Sequence, residues 1–248
     1  MKSQFIDLHG HTDFYKDDEI PAIVEDAKER GVLIVDSGAH PKQNKRVLEL
    51  AEKYNWKVTL GLYPIDIIGM KDSEIDFELN FIKKNKSKII GIGEVGLDFK
   101  EDLHNWDKQK EVFRKVIRLA KEIDKPLIIH SRKAEKEAIE ILEEEKAKKV
   151  VMHCFNGSFR LIERIVANKW YITIPTNVTF SEHFQKAILA VPIEQLFCET
   201  DSPYLHPRKE MNNKPGNVIE SYKKVAEIKG LKLDDVRNRI WGNFERLF

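Results

Sequence analysis

The stretch FIDLHGH, residues 5–11, joins a short apolar run to two of the eight histidines in the chain. Side chains two residues apart on a β-strand point to the same face, so His9 and His11 can converge on one metal ion. Two imidazoles leave such a site incomplete, because a protein-bound ion takes about four ligands or more. The stretch therefore predicts a first strand that carries part of a metal site, with further ligands elsewhere in the chain.

Seven more short β-branched runs follow, and most are apolar on both faces, as strands covered on both sides are. Amphipathic helical patterns separate the runs, as over 106–123 and near the C-terminus. Eight strands alternating with helices over 248 residues match a (β/α)8 TIM barrel. We therefore predict an α/β fold, a parallel eight-stranded barrel with surrounding helices, in a single domain, 1–248. The predicted strands are 5–9, 32–38, 57–63, 89–96, 126–131, 149–155, 171–175 and 196–202.

An open doubly wound sheet is the alternative fold. It predicts a glycine-rich phosphate loop after the first strand, and DLHGHTD, residues 7–13, is not such a loop. The barrel therefore accounts better for the first motif.

Bulk composition argues for an ordinary globular protein. The chain is 42% hydrophobic with a formal net charge of +1, so overall charge gives no support for a nucleic-acid partner. Two cysteines form no disulfide framework, and neither a signal-peptide pattern nor an apolar run of about 18 residues is present. We expect a cytoplasmic protein, monomeric or weakly oligomeric, with no membrane partner.

Metal-competent side chains end five of the predicted strands. In a barrel of this type the chemistry lies at the carboxyl ends of the strands, so these side chains should meet there. Four imidazoles and two carboxylates exceed the needs of one ion and predict two ions, with Glu94 as bridge and Asp201 as proton acceptor. The predicted ligands are His9, His11, Glu94, His130, His153 and Asp201.

Two further carboxylates share strand parity with predicted ligands. Asp7 lies two residues before His9, and Glu199 lies two before Asp201. Either carboxylate could orient an imidazole from behind the metal site. An ordinary hydrogen-bonded buried acid is an equally good interpretation of both.

Five ordered motifs resemble those of the TatD family of metal-dependent deoxyribonucleases, among the amidohydrolase-type barrels. They are DLHGHTD, GEVGLDF, IHSRKA, HCFNGS and ETDSPYL, and NKPGNV resembles a sixth near the last helices. The resemblance runs along nearly the full chain and implies the same six metal ligands. It also implies hydrolysis of DNA, usually from the 3′ end, with magnesium or manganese. Because the ligands are rich in imidazole, zinc, nickel, iron or cobalt is also expected as the bound ion.

The chain departs from the family pattern in two places. Tyr63 in GLYP stands where the family usually has a histidine, and a phenol can donate to phosphate but cannot carry the charge of imidazolium. Asn212 precedes Asn213 in the loop after SPYL, where the family tends to have a basic segment. Candidate phosphate contacts are therefore Tyr63, Arg132, Arg208 and Lys209, with ordinary surface charge as the alternative for the three cations.

Three functions remain open on these residues. The first is a two-metal nuclease that acts on single DNA strands or ends. The second is a metallohydrolase of a small ester, amide or phosphoester, because similar barrels host such reactions. The third is a non-catalytic binding protein, against which the presence of all six ligands argues.

Overall fold

Eight parallel strands form one sheet in the computed structural model, which describes residues 4–209 and 212–248. Each strand pairs with the next along the chain, in the order β1 to β8. The strands are β1 (Phe5–Gly10), β2 (Val32–Gly38), β3 (Lys57–Leu62), β4 (Gly91–Asp98), β5 (Leu127–Arg132), β6 (Val150–Met152), β7 (Tyr171–Pro175) and β8 (Leu196–Glu199).

Helices alternate with the strands and cover the outside of the sheet. On α4, Phe113, Val116, Ile117 and Ala120 are buried, which places the predicted apolar stripe against the barrel. Within the described ranges no helix has the length and apolar character needed to cross a membrane. The helices are α1 (Ile20–Glu29), α2 (Pro41–Tyr54), α3 (Asp72–Lys84), α4 (Trp106–Glu122), α5 (Glu135–Glu144), α6 (Phe159–Ala167), α7 (Glu182–Ala190), α8 (Val218–Lys229) and α9 (Leu233–Leu247).

The first and last strands meet beyond the end of β8. The amide of Asp201 donates to the carbonyl of His9 over 2.9 Å, and the amide of His11 donates to the carbonyl of Ser202 over 2.8 Å. The sheet therefore curls into a nearly closed barrel, and the predicted (β/α)8 fold is confirmed. The same two hydrogen bonds hold the ends of the first and last predicted motifs side by side.

Three strands end two or more residues away from the predicted position, each for a local reason. Strand β4 runs to Asp98 because that residue is still in register with Arg132 on β5. Strand β6 stops at Met152, shortly before Cys154 takes a φ of 43°. Strand β8 stops at Glu199, and Asp201 has a φ of 52°, outside the extended region.

Candidate metal centre

The carboxylate of Glu94, on β4, lies at the centre of the carboxyl-terminal face of the barrel. Its Oε2 atom is 3.5 Å from the Nε2 atoms of both His9 and His11. Its Oε1 atom is 2.8 Å from Nδ1 of His130 and 3.8 Å from Nε2 of His153. The two oxygens of one carboxylate therefore face two different pairs of imidazoles.

Asp201 lies beside the first of these pairs. Its Oδ1 atom is 3.6 Å from Nε2 of His9 and 3.7 Å from Nε2 of His11. The donor atoms of these three residues all lie within 4.8 Å of one another, as do those of His9, Glu94 and His153. The structure thus brings together the whole set of side chains at the strand ends: His9, His11, Glu94, His130, His153 and Asp201.

A serine on β2 holds both histidines of the first motif. Nδ1 of His11 lies 3.0 Å from the carbonyl oxygen of Ser37, and Nδ1 of His9 lies 2.9 Å from the Ser37 hydroxyl. A carbonyl only accepts, so Nδ1 of His11 carries the hydrogen and Nε2 keeps its lone pair. Sequence reasoning missed Ser37, although it lies at the end of the run VLIVDSG.

The Nε2 atom of His9 is buried and has no hydrogen-bond partner within residues 4–209 and 212–248. Leaving such an atom unsatisfied costs about 1–3 kcal/mol. The atom faces the carboxylates of Glu94 and Asp201. A cation among these donors would satisfy all three groups at once, so the residues fit a divalent metal ion.

Glu199, the last residue of β8, supports His153 from behind. Its Oε2 accepts a hydrogen bond from Nδ1 of His153 over 2.9 Å, and its Oε1 accepts one from the amide of Cys154 over 3.0 Å. Burial favours the neutral imidazole, but the charge and hydrogen bond of Glu199 outweigh it and raise the pKa of His153 to about 10. The contact orients the ring so that Nε2 faces Glu94.

Of the two interpretations left open for Asp7, the structure shows the hydrogen-bonded buried acid, with a partner other than an imidazole. Its two carboxylate oxygens accept hydrogen bonds from the amide and the hydroxyl of Thr200, over 2.7 and 2.6 Å. The reason is the closure of the barrel, which sets β1 against the end of β8, while Ser37 holds the ring of His9. Asp7 therefore positions the residue before Asp201, and burial raises its pKa well above the usual carboxyl value.

Asp98, at the end of β4, is a buried acid that sequence reasoning missed. Its Oδ2 lies 3.0 Å from Nε2 of His130 and accepts hydrogen bonds from Arg132 Nε over 2.7 Å and from the Tyr63 hydroxyl over 3.2 Å. Burial would raise the pKa of Asp98, but these partners hold it well below the usual value. Asp98 shares strand parity with Glu94, the signal that singled out Asp7 and Glu199.

The two carboxylates among the proposed ligands have opposite electrostatic environments. Burial would raise the pKa of Glu94, but the neighbouring imidazoles of His130 and His9 hold it well below its usual value. For Asp201, burial outweighs the attraction of His153 and His11 and raises the pKa to about 6. Glu94 is therefore a permanent anion, whereas Asp201 can exchange a proton near neutral pH.

A cavity of about 580 Å³ opens onto this cluster. Tyr63 and Arg132 line it, and neither Arg208 nor Lys209 is among the lining residues of the described chain. Arg132 pairs with both Asp98 and Glu101, so carboxylates already compensate its charge. The Nζ atom of Lys209 lies over the ring of Phe180, 4.7 Å from its centroid, and Arg208 is exposed.

Known proteins resemble this chain over its whole length. The sequence model of the family described as TatD related DNase matches residues 6–248. An uncharacterized metal-dependent hydrolase of Methanocaldococcus jannaschii is 36% identical over 248 residues, covering 99% of this chain and 97% of that protein. The human protein named deoxyribonuclease TATDN3 is 32% identical over 259 residues, covering 98% and 94%. The crystal structure of YjjV, a TatD homologue of Escherichia coli K12, superposes with a TM-score of 0.93 at 26% identity, covering 100% and 99%.

Proposed function

The chain belongs to the TatD-related DNase family, and from that membership we propose that it cleaves phosphodiester bonds of DNA, at single strands or ends and from the 3′ terminus. It is a metal-dependent hydrolase that acts on ester bonds. The human relative named a deoxyribonuclease supports DNA as the substrate. The observation that carries the proposal is the position of Glu94, whose two oxygens face two separate pairs of histidines.

We propose two divalent ions in this site, with Glu94 between them. His9, His11 and Asp201 would hold one ion with Oε2 of Glu94, and His130 and His153 would hold the other with Oε1. The buried Nε2 of His9 and the surrounding carboxylates support this assignment. When bound, two such ions lower the pKa of a water molecule and neutralise charge on the phosphate.

The protein's own groups divide the remaining work. Asp201, whose Oδ1 lies beside the His9–His11 pair, would accept a proton from the attacking water and return it to the leaving oxygen. Glu199 keeps the ring of His153 in place through Nδ1. The Tyr63 hydroxyl, whose pKa burial raises above its usual value, stays protonated, and its single hydrogen would turn from Asp98 to a phosphate oxygen when substrate enters the cavity.

The donor set bears on which ions function. Imidazole nitrogen suits zinc, manganese, iron, cobalt and nickel, whereas magnesium prefers oxygen ligands. The set combines four imidazoles with two carboxylates. We propose manganese or magnesium in the reaction, with zinc, nickel, iron or cobalt as ions that the purified protein can carry.

The test is divalent-ion-dependent shortening of labelled single-stranded DNA by the wild type and two variants. Glu94→Ala removes the carboxylate between the imidazole pairs, and Asp201→Asn removes the proton acceptor. We expect Asp201→Asn to lose at least about 100-fold in rate, as removal of a general base typically does, and Glu94→Ala to lose at least as much, because it removes the carboxylate shared by both ions. Equal rates in all three proteins contradict the proposal. Glu182→Gln is the control, because Glu182 is exposed and pairs only weakly with Lys186 at 3.5 Å.

A small-molecule ester, amide or phosphoester is the second candidate substrate. The observation that favours it is the compensated charge of Arg132, which leaves the cavity with little excess positive charge for a polyanion. A volume of about 580 Å³ also suits a small ligand. Turnover of one small ester or amide far above turnover of DNA would establish this function instead.

A further inference from the structure

Two exposed aromatic side chains form one wall of the cavity. Phe14 is 47% exposed and Tyr204 is 56% exposed, although both are large apolar residues. Both line the cavity that contains His11 and Asp201. Adjacent exposed apolar side chains with polar residues around them are a feature of ligand-binding grooves.

The backbone that carries the two rings is firmly held. Phe14 ends a single 3-10 turn, Thr12–Phe14, and the amide of Thr12 donates to Asp36 over 2.8 Å. The amide of Tyr204 donates to the carbonyl of Asp201 over 2.9 Å. The next carbonyl, that of Leu205, accepts from Thr176 over 2.6 Å. The backbone beneath both rings is therefore fixed, which lowers the entropic cost of binding a flat group against them.

The two rings also lie directly beside the cluster. The ring of Phe14 stacks on that of His11, with centroids 5.2 Å apart and planes 20° apart. Tyr204 meets Phe14 edge to face, with centroids 6.2 Å apart and planes 78° apart. The wall formed by Arg132 and Glu101 is charged instead. One wall of the cavity is thus an aromatic surface that contacts His11 through Phe14, and another wall carries charged groups.

We propose that Phe14 and Tyr204 form a stacking platform for the base of the nucleotide next to the scissile phosphate. This inference rests on the proposed action on DNA and names how the strand end is held. A phosphate at the cluster brings the attached nucleoside within reach of these rings. Every base has a π-face, so such a platform binds strand ends without a strong sequence preference.

The experiment compares two single strands that differ only in their bases. One carries normal nucleotides, and in the other the three terminal residues at both ends are abasic. Each strand has an internal fluorescent label, and kcat/KM for shortening is measured on denaturing gels with manganese. We expect the wild type to prefer the normal strand by about 5- to 100-fold, the range that base–aromatic stacking contributes.

Variants then assign the preference to the two rings. Tyr204→Ala and Phe14→Leu should each lower the ratio of normal to abasic kcat/KM by about 5-fold or more, whereas Tyr204→Phe should keep it. General damage to the site lowers kcat/KM on both strands and leaves their ratio unchanged. A fall in the ratio therefore reports the loss of stacking. Phe77→Ala is the matched control, because Phe77 is 70% exposed on α3 and does not line the cavity; its ratio should equal that of the wild type.

The outcomes separate the platform from the nuclease proposal. Efficient shortening of both strands at equal kcat/KM, or an unchanged ratio in Tyr204→Ala and Phe14→Leu, overturns the platform and leaves the nuclease proposal standing. No shortening of either strand by the metal-loaded wild type overturns both.

Discussion

Oδ2 of Asp98 lies 3.0 Å from Nε2 of His130, and the same oxygen accepts hydrogen bonds from Arg132 and Tyr63. One carboxylate oxygen therefore fixes the relative positions of a proposed metal ligand and two proposed substrate contacts. The group is fully buried and its pKa is held well below the usual value, so it keeps its charge. Its position makes Asp98 a positioning residue for the His130 side of the centre.

Replacing Asp98 by asparagine should weaken this arrangement without changing its size. An amide presents one oxygen and no charge, so it cannot hold His130 and Arg132 together equally well. Partners behind a metal ligand typically contribute about 10- to 100-fold to metal affinity or activity, and we expect a loss of that order in kcat/KM. Metal content by mass spectrometry and rates on single-stranded DNA check it. Asp107→Asn, at an exposed site on α4, should behave as wild type; if both variants match the wild type, Asp98 has no such role.

Tyr63→Phe isolates the hydroxyl that lies 3.2 Å from Asp98 and 3.4 Å from His130. Loss of one hydrogen bond to a charged phosphate oxygen should lower kcat/KM by about 10- to 100-fold. If the hydroxyl binds phosphate, kcat/KM should fall on DNA while the metal content stays constant. Tyr63→His restores the residue type usual in the family and should recover at least part of the rate. A phenylalanine variant with full activity would rule out a role for the hydroxyl.

Glu199→Gln tests the support of His153. The glutamine amide cannot supply the negative charge that raises the pKa of His153 to about 10, so the imidazole becomes a weaker ligand. We expect metal affinity at the His130–His153 side to fall about 10- to 100-fold, with the His9–His11 side less affected. Calorimetric titration of the metal-free protein with the divalent ion measures both affinities. Equal affinities in variant and wild type would rule this role out.

Asp36 predicts a pH dependence of stability. Burial raises its pKa to about 7, despite hydrogen bonds from the amide and hydroxyl of Thr12. A carboxyl whose folded pKa is raised contributes stability that is fully present below its usual pKa of 3.8 and is lost as pH rises toward 7. Asp36→Asn cannot ionise, so it avoids this loss.

The Tm of Asp36→Asn minus that of the wild type should therefore rise between about pH 4.5 and about pH 7.5. We expect an increase of about 2–4 °C, equivalent to about 1 kcal/mol for a chain of this size. Thermal unfolding of the metal-free proteins at both pH values measures this Tm difference. The exposed Asp18→Asn provides the control, for which the difference should stay constant. A difference that falls or stays level for Asp36→Asn refutes the prediction.

The sequence by itself determined the barrel and the group of donor side chains. Alternation along a strand and the count of apolar runs are properties of neighbouring residues, so they can be recognised without knowledge of the fold. The same local pattern indicated His9, His11 and the four later strand ends as one cluster. The parity rule also applies to Asp98, but the predicted strand ends at residue 96, which leaves Asp98 outside it.

Only the tertiary structure decided which partner each buried group takes. Asp7 and Glu199 each lie two residues before a predicted ligand, yet Asp7 binds Thr200 while Glu199 binds His153. Arg132 faces two carboxylates, and Phe14 meets Tyr204 across the β1–β8 junction. These contacts join residues 31 to 193 positions apart. Strand register and barrel closure set them, and no local periodicity encodes either.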